Sequence, residues 1–136
     1  MRFRRDKGIP VPVKGHGGDA GWDLHAPYNF TLLPGETSER IDLGVGFEVP
    51  LWFCGFVVER SSQGKKGIHA IGPVVDNGYT GNVHVTLVNN STVPYKVEEG
   101  DRICQMILLR VGLEELEEVD TIEGERGDNG HGSTGT

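Results

Sequence analysis

The chain is short of cysteine, aromatic residues and positive charge, and it has no long apolar run. Each shortage excludes something. Two cysteines, Cys54 and Cys104, cannot build a disulfide framework. Both lie in apolar segments, FCGFVV and RICQMILL, which favours two buried free thiols in a reducing compartment. A single bridge between them stays open at this point. No stretch is apolar for the roughly 20 residues that a bilayer-spanning helix needs. The short basic start MRFRR is not followed by a secretory apolar region. The expectation is a soluble, cytoplasmic protein with no membrane contact. Lys and Arg number 13 against 20 Asp and Glu, for a formal net charge of −7. The basic face that nucleic acid requires is therefore not expected. A small anion remains possible, because a few placed arginines and lysines make a local positive site.

What the chain has in quantity is punctuation. Its 21 glycines and 7 prolines are scattered between short apolar runs, a pattern of many short strands and tight turns. A length of 136 residues fits one domain. ERIDLGVGFEV, WFCGFVVE, NVHVTLVN and RICQMILLRV read as strands. In NVHVTLVN, Val83, Val85 and Leu87 face one way and His84, Thr86 and Val88 the other. Regular turns between such strands suggest an all-β sandwich, barrel or jelly roll. SSQGKK can form one helical turn. LEELEEVDTIEGE has strong helix formers and two leucines three apart, and a helix is expected there. The domain is placed at residues 1–123 and a mobile tail at 124–136. That tail, GERGDNGHGSTGT, is glycine-rich and cannot order itself by burial. It reads either as a frayed end or as a flap that orders on a ligand. Arg126, Ser133, Thr134 and bare glycine amides are all phosphate donors.

Four stretches carry candidate chemistry. VVDNGYTGNVHVTLVNN holds one acid, Asp76, at the mouth of an alternating strand. It is either a turn former or a general base. ERSSQGKKG gathers a guanidinium, two hydroxyls and two ammonium groups beside glycine, a set suited to oxyanions. It lacks the spacing of a P-loop. AGWDLHAP places Asp23 among apolar neighbours, in a turn or near a metal-bound water. GDRICQMIL carries Gln105, an amide among apolar residues that needs a partner or a ligand. The histidines lack metal-ligand spacing, and no G-x-S-x-G elbow occurs. The sequons at Asn89 and Asn90 mean nothing without secretion.

In order, AGWDL, ERSSQGKKG, GPVVDNGYTGNVHVTLVN, GDRICQMIL and RGDNGHGSTG resemble the five motifs of the trimeric dUTP pyrophosphatases, the dUTPases. The resemblance runs from about Ala20 to the C-terminus. It implies a jelly-roll protomer in a homotrimer with active sites shared between subunits. It implies hydrolysis of dUTP to dUMP and pyrophosphate with Mg²⁺ on the triphosphate, which limits uracil in DNA and supplies dUMP for dTTP synthesis. By position, Asp76 resembles the aspartate that activates water. Tyr79 resembles the ring under deoxyribose, and the hairpin around 72–79, with Gly72 and Val75, resembles the uracil reader, which works largely through backbone groups. Arg60, Ser61, Ser62 and Gln105 match phosphate contacts, and Asp23 matches the aspartate near the metal's water shell. Arg126, His131, Gly132, Ser133 and Thr134 match the closing tail. His131 stands where the family usually has a larger aromatic, Asn129 where it has glycine, and Ala70 about where some members have asparagine. Two other readings compete with this one. A dCTP deaminase needs a glutamate after the hairpin, where this chain has Thr86 and no acid from Tyr79 to Tyr95. A non-enzymatic interaction protein would not need this set of polar residues.

Overall fold

The computed structural model describes residues 1–123. The tail residues Arg126, His131, Gly132, Ser133 and Thr134 lie outside them. Eleven strands and one helical turn follow one another: β1 Phe3–Arg5, β2 Gly21–His25, β3 Phe30–Leu32, β4 Ile41–Asp42, β5 Val45–Phe47, β6 Phe53–Val58, α1 Ser61–Gly64, β7 Ile68–Ile71, β8 Val74–Val75, β9 His84–Asn89, β10 Tyr95–Val97 and β11 Arg102–Arg110. They form antiparallel sheets in the orders β2-β11-β6-β8, β4-β9-β7, β1-β5 and β10-β3. The architecture is the expected all-β jelly roll.

Alternation explains the core. Along β9, Val85, Leu87 and Asn89 are buried while His84, Thr86 and Val88 are half-buried. Val83, just before the strand, is buried on the same side as Val85 and Leu87. They pack with Leu24, Ile41, Val57, Ile103 and Met106, all at most 1% exposed. Burying each such side chain contributes about 1.5–3 kcal/mol. Both cysteines are buried and free, and burial pushes the Cys104 thiol far above its ordinary range. Asn89 is fully buried and satisfied: its Nδ2 donates to the carbonyls of Leu32 and Val93, both at 2.9 Å, and its Oδ1 accepts from Ser91. A buried amide of this kind is a structural tie, which disposes of one formal sequon.

The helical turn in SSQGKK is present as α1. The helix expected in LEELEEVDTIEGE is not: the described part, 113–123, is non-helical and exposed. Glu114, Glu115, Glu117 and Glu118 fall at like-charge three- and four-residue spacings, which repel on a helix. Among the described residues nothing covers its apolar side chains either, so propensity alone had to hold it. Leu113, Leu116, Val119 and Ile122 recur every third residue, with Leu116 and Ile122 essentially fully exposed. Among the described residues no helix is long and apolar enough to cross a membrane.

Candidate functional site

The sequence-derived residues fall into two groups. The first surrounds the hairpin after β8. Asp76 directly follows that strand, and its carbonyl accepts the Tyr79 amide at 3.2 Å, closing a tight turn with Gly78 at φ +86°. Asp76 is therefore a turn residue as well as an exposed acid. Among the described residues no hydrogen bond or ion pair engages its carboxylate. With Gly72, Val75, Tyr79 and Asn82 it lines a pocket of about 430 Å³ whose far wall is β9. Tyr79 is half exposed, and its hydroxyl donates to the Asn82 carbonyl at 2.9 Å. Gly72 passes so close to the Val57 backbone that any side chain there would collide with it. Asn77 anchors the turn by donating to the Val49 carbonyl at 2.6 Å.

The second group is a charged corner where β2, β6 and β11 run side by side. The registers put Gln105 opposite both Asp23 and Val58. Asp23 lies on a strand rather than in a turn, because β11 pairs along Gly21–His25. Its buried carboxylate accepts from Arg60 Nε at 2.7 Å and from Arg102 Nη1 at 3.2 Å. Pairing and hydrogen bonding together make such a buried charge tolerable. Gln105 has its expected partner: Nε2 donates to the Glu59 carbonyl at 3.0 Å. Its side chain lies against Gly21, where a Cβ would strike the amide. Ser61 and Ser62 are exposed on α1.

The pocket lining includes Asp76 and Tyr79, but among the described residues it includes neither Asp23, Arg60, Ser61, Ser62 nor Gln105. On one chain, then, the hairpin pocket is not lined by the charged corner.

Sequence reasoning missed three side chains here. Arg102, inside the GDRICQMIL stretch, shares Asp23 with Arg60. Gln63 is 3% exposed; its Nε2 donates to the Tyr95 hydroxyl at 2.8 Å and ties α1 to the body. His25 is buried with Nδ1 unpartnered among the described residues. Burial pushes its pKa down; the Asp23 carboxylate opposes the shift, and Arg102 and Arg60 add to it. An alternating charge at a strand start was the available signal for Arg102. Nothing in the sequence marks Gln63 as buried.

The family model described as dUTPase matches residues 7–135. The deoxyuridine 5'-triphosphate nucleotidohydrolase of Corynebacterium efficiens is 41% identical over 98% of this chain and 76% of its own. That of Monkeypox virus is 39% identical over 91% of this chain and 82% of its own. The dUTPase of Staphylococcus bacteriophage 80alpha, solved with dUPNHPP, superposes with a TM-score of 0.90 at 24% identity. That match covers 99% of this chain and 98% of the phage chain.

Proposed function

The chain belongs to the dUTPase family and is a dUTP diphosphatase, and from that premise we propose which of its residues carry the hydrolysis. Water attacks the α-phosphorus of dUTP. Its oxygen bonds to phosphorus as the bridging bond to the β-phosphate breaks, and pyrophosphate leaves with the electron pair. Asp76 accepts the water's proton, and dUMP departs. The observation that carries this reading is Asp76 itself, an exposed residue beside Tyr79 at the pocket wall whose carboxylate takes no hydrogen bond or ion pair among the described residues. A positioned base contributes about 10²–10⁴-fold.

Tyr79 packs under deoxyribose, and the hairpin backbone from Gly72 to Val75 reads uracil. Arg60, Ser61, Ser62 and Gln105 hold the phosphates, and Arg126, Ser133 and Thr134 close on the outer ones, with His131 against the base and Gly132 close to the phosphates. Donors fixed in advance where negative charge spreads provide much of the remaining acceleration.

The donor set fits Mg²⁺ brought in by the nucleotide rather than one caged by protein. Among the described residues no three carboxylates, histidines or cysteines cluster. Asp23, already holding two arginines, keeps free lone pairs for a water of the ion's shell, which is how Mg²⁺ is usually met. When bound, the ion supplies charge neutralisation on the triphosphate.

The division into a domain at 1–123 and a closing tail at 124–136 belongs to this reading, and so does a homotrimer with shared sites. Two features support the trimer. The hairpin pocket of one chain is not lined by its own charged corner, and a second copy would supply one. The 113–123 segment carries exposed apolar side chains that want cover. In the cell the activity would limit uracil in DNA and supply dUMP for dTTP synthesis, in the cytoplasm.

Product analysis on dUTP, dCTP and dTTP side by side tests the proposal. Pyrophosphate and dUMP from dUTP alone are expected. Ammonia from dCTP, or no turnover with Mg²⁺, would sink it.

A further inference from the structure

The hairpin with Asp76 and Tyr79 is held from behind by residues that belong to none of the five motifs. Tyr79 stands between two hollows. The one in front is the pocket already described. The one behind, about 540 Å³, is lined by Phe3, Arg4, Phe47, Asn77 and Thr80 with Tyr79 itself. Tyr79 is half exposed and its ring end rests on Gly81, where a Cβ would strike Oη and Cζ, so packing holds one end and directional bonds fix the rest.

Those bonds lead to the N-terminal strand. Arg4 on β1 lies opposite Gly46 on β5. Its Nη2 donates to the Thr80 carbonyl at 2.9 Å. The guanidinium rests on Gly46, where a Cβ would meet Arg4 Cζ at 3.2 Å and the Gly81 carbonyl at 2.8 Å. Strand, guanidinium and hairpin therefore touch at a point that only glycine allows. Two residues on, Asp6 Oδ2 accepts from Asn82 Nδ2 at 3.3 Å, and Asp42 Oδ2 shares that donor at 3.2 Å. Asp6 is itself placed by its amide, which donates to the Gly44 carbonyl at 2.8 Å. The Asn82 carbonyl in turn receives the Tyr79 hydroxyl at 2.9 Å. Tyr79 is thus gripped on both sides, through Thr80 by Arg4 and through Asn82 by Asp6.

We propose that Arg4 and Asp6 are positioning residues for Tyr79, so that the N-terminal strand sets how strictly the enzyme prefers a deoxyribose over a ribose nucleotide. The inference rests on the reading of Tyr79 given above. Neither side chain touches substrate; each acts through the hairpin.

The test compares wild type with Arg4→Ala/Asp6→Ala in the full chain, on dUTP and UTP. KM for dUTP should rise about tenfold with kcat within about twofold. The dUTP-over-UTP ratio in kcat/KM should fall at least about fivefold. Arg4→Lys with Asp6 intact should keep most of the preference, since an ammonium can still reach the Thr80 carbonyl. An unchanged preference in the double variant, or a kcat loss with KM unmoved, overturns the inference. Hydrogen exchange of the 77–82 amides without nucleotide tests the clamp by itself. Faster exchange in the double variant is expected, and unchanged exchange overturns the inference whatever the wild-type activity. A wild type with ordinary exchange that did not turn over dUTP would instead strike down the reading of Tyr79.

Discussion

Asp76 and Asp23 sit in opposite surroundings. Asp76 follows a two-residue strand, is exposed, and its carboxylate takes no partner among the described residues. Asp23 lies inside a sheet with one arginine on each oxygen. A carboxylate that must take a proton from water has to keep an oxygen free. A carboxylate that organises arginines for phosphate has to give its oxygens away. Under the proposed mechanism this contrast assigns the proton transfer to Asp76 and the arranging of arginines to Asp23.

The sharpest way to break that contrast is Asp76→Asn. It keeps the turn, because the Tyr79 amide bonds to the backbone carbonyl and not to the side chain. Pyrophosphate release should fall about 10²–10⁴-fold, with dUTP affinity by calorimetry retained. Unchanged turnover would remove Asp76 from the reaction. Truncation before Arg126 comes next. It should lower turnover by about 10²-fold and leave the thermal unfolding of the 1–123 domain as it was; a shifted transition would make the tail structural. Arg60→Ala tests the other half. It should raise KM about tenfold through the lost phosphate contact. It should also lower stability by about 1–2 kcal/mol in thermal unfolding, because Asp23 keeps Arg102 as a partner. A KM change without a stability change would mean that Asp23 does not depend on Arg60.

The smallest effect is a pH effect at the corner. Burial holds the His25 pKa below its ordinary 6.5, so the unfolded chain binds the extra proton first. Stability is therefore full above about 6.5 and declines as pH falls below that value. His25→Gln should flatten the decline in a series of unfolding curves. An equal slope in both proteins would assign it to other groups.

Much of this was legible in the sequence. WFCGFVVE, NVHVTLVN and RICQMILLRV announced β6, β9 and β11 by alternation or by continuous apolar runs, and both cysteines fell where burial was expected; ERIDLGVGFEV, read as one strand, is instead two short ones, β4 and β5, broken at Gly44 with its φ of +61° and paired in different sheets. The missed strands are short, and partners make them. β2, GWDLH, is buried at nearly every position and shows no alternation; pairing with β11 decides it. β8 has two residues, too few to show a period. At the site, the kinds of chemistry were legible from residue types, and the resemblance supplied their order. The opposite settings of Asp23 and Asp76 were not, because they follow from strand register. The acidic segment misled because helix propensity is counted one residue at a time, whereas repulsion and lack of cover act on the segment together.

That segment has a consequence for handling the protein. Wherever it is not covered by another copy, it presents a greasy edge kept wettable only by the carboxylates beside it. Concentrated salt mutes those carboxylates within a few ångströms. Free protomers should then turn sticky and scatter light at temperatures where the body is still intact, and replacing Leu116 and Ile122 with serine should cure the turbidity.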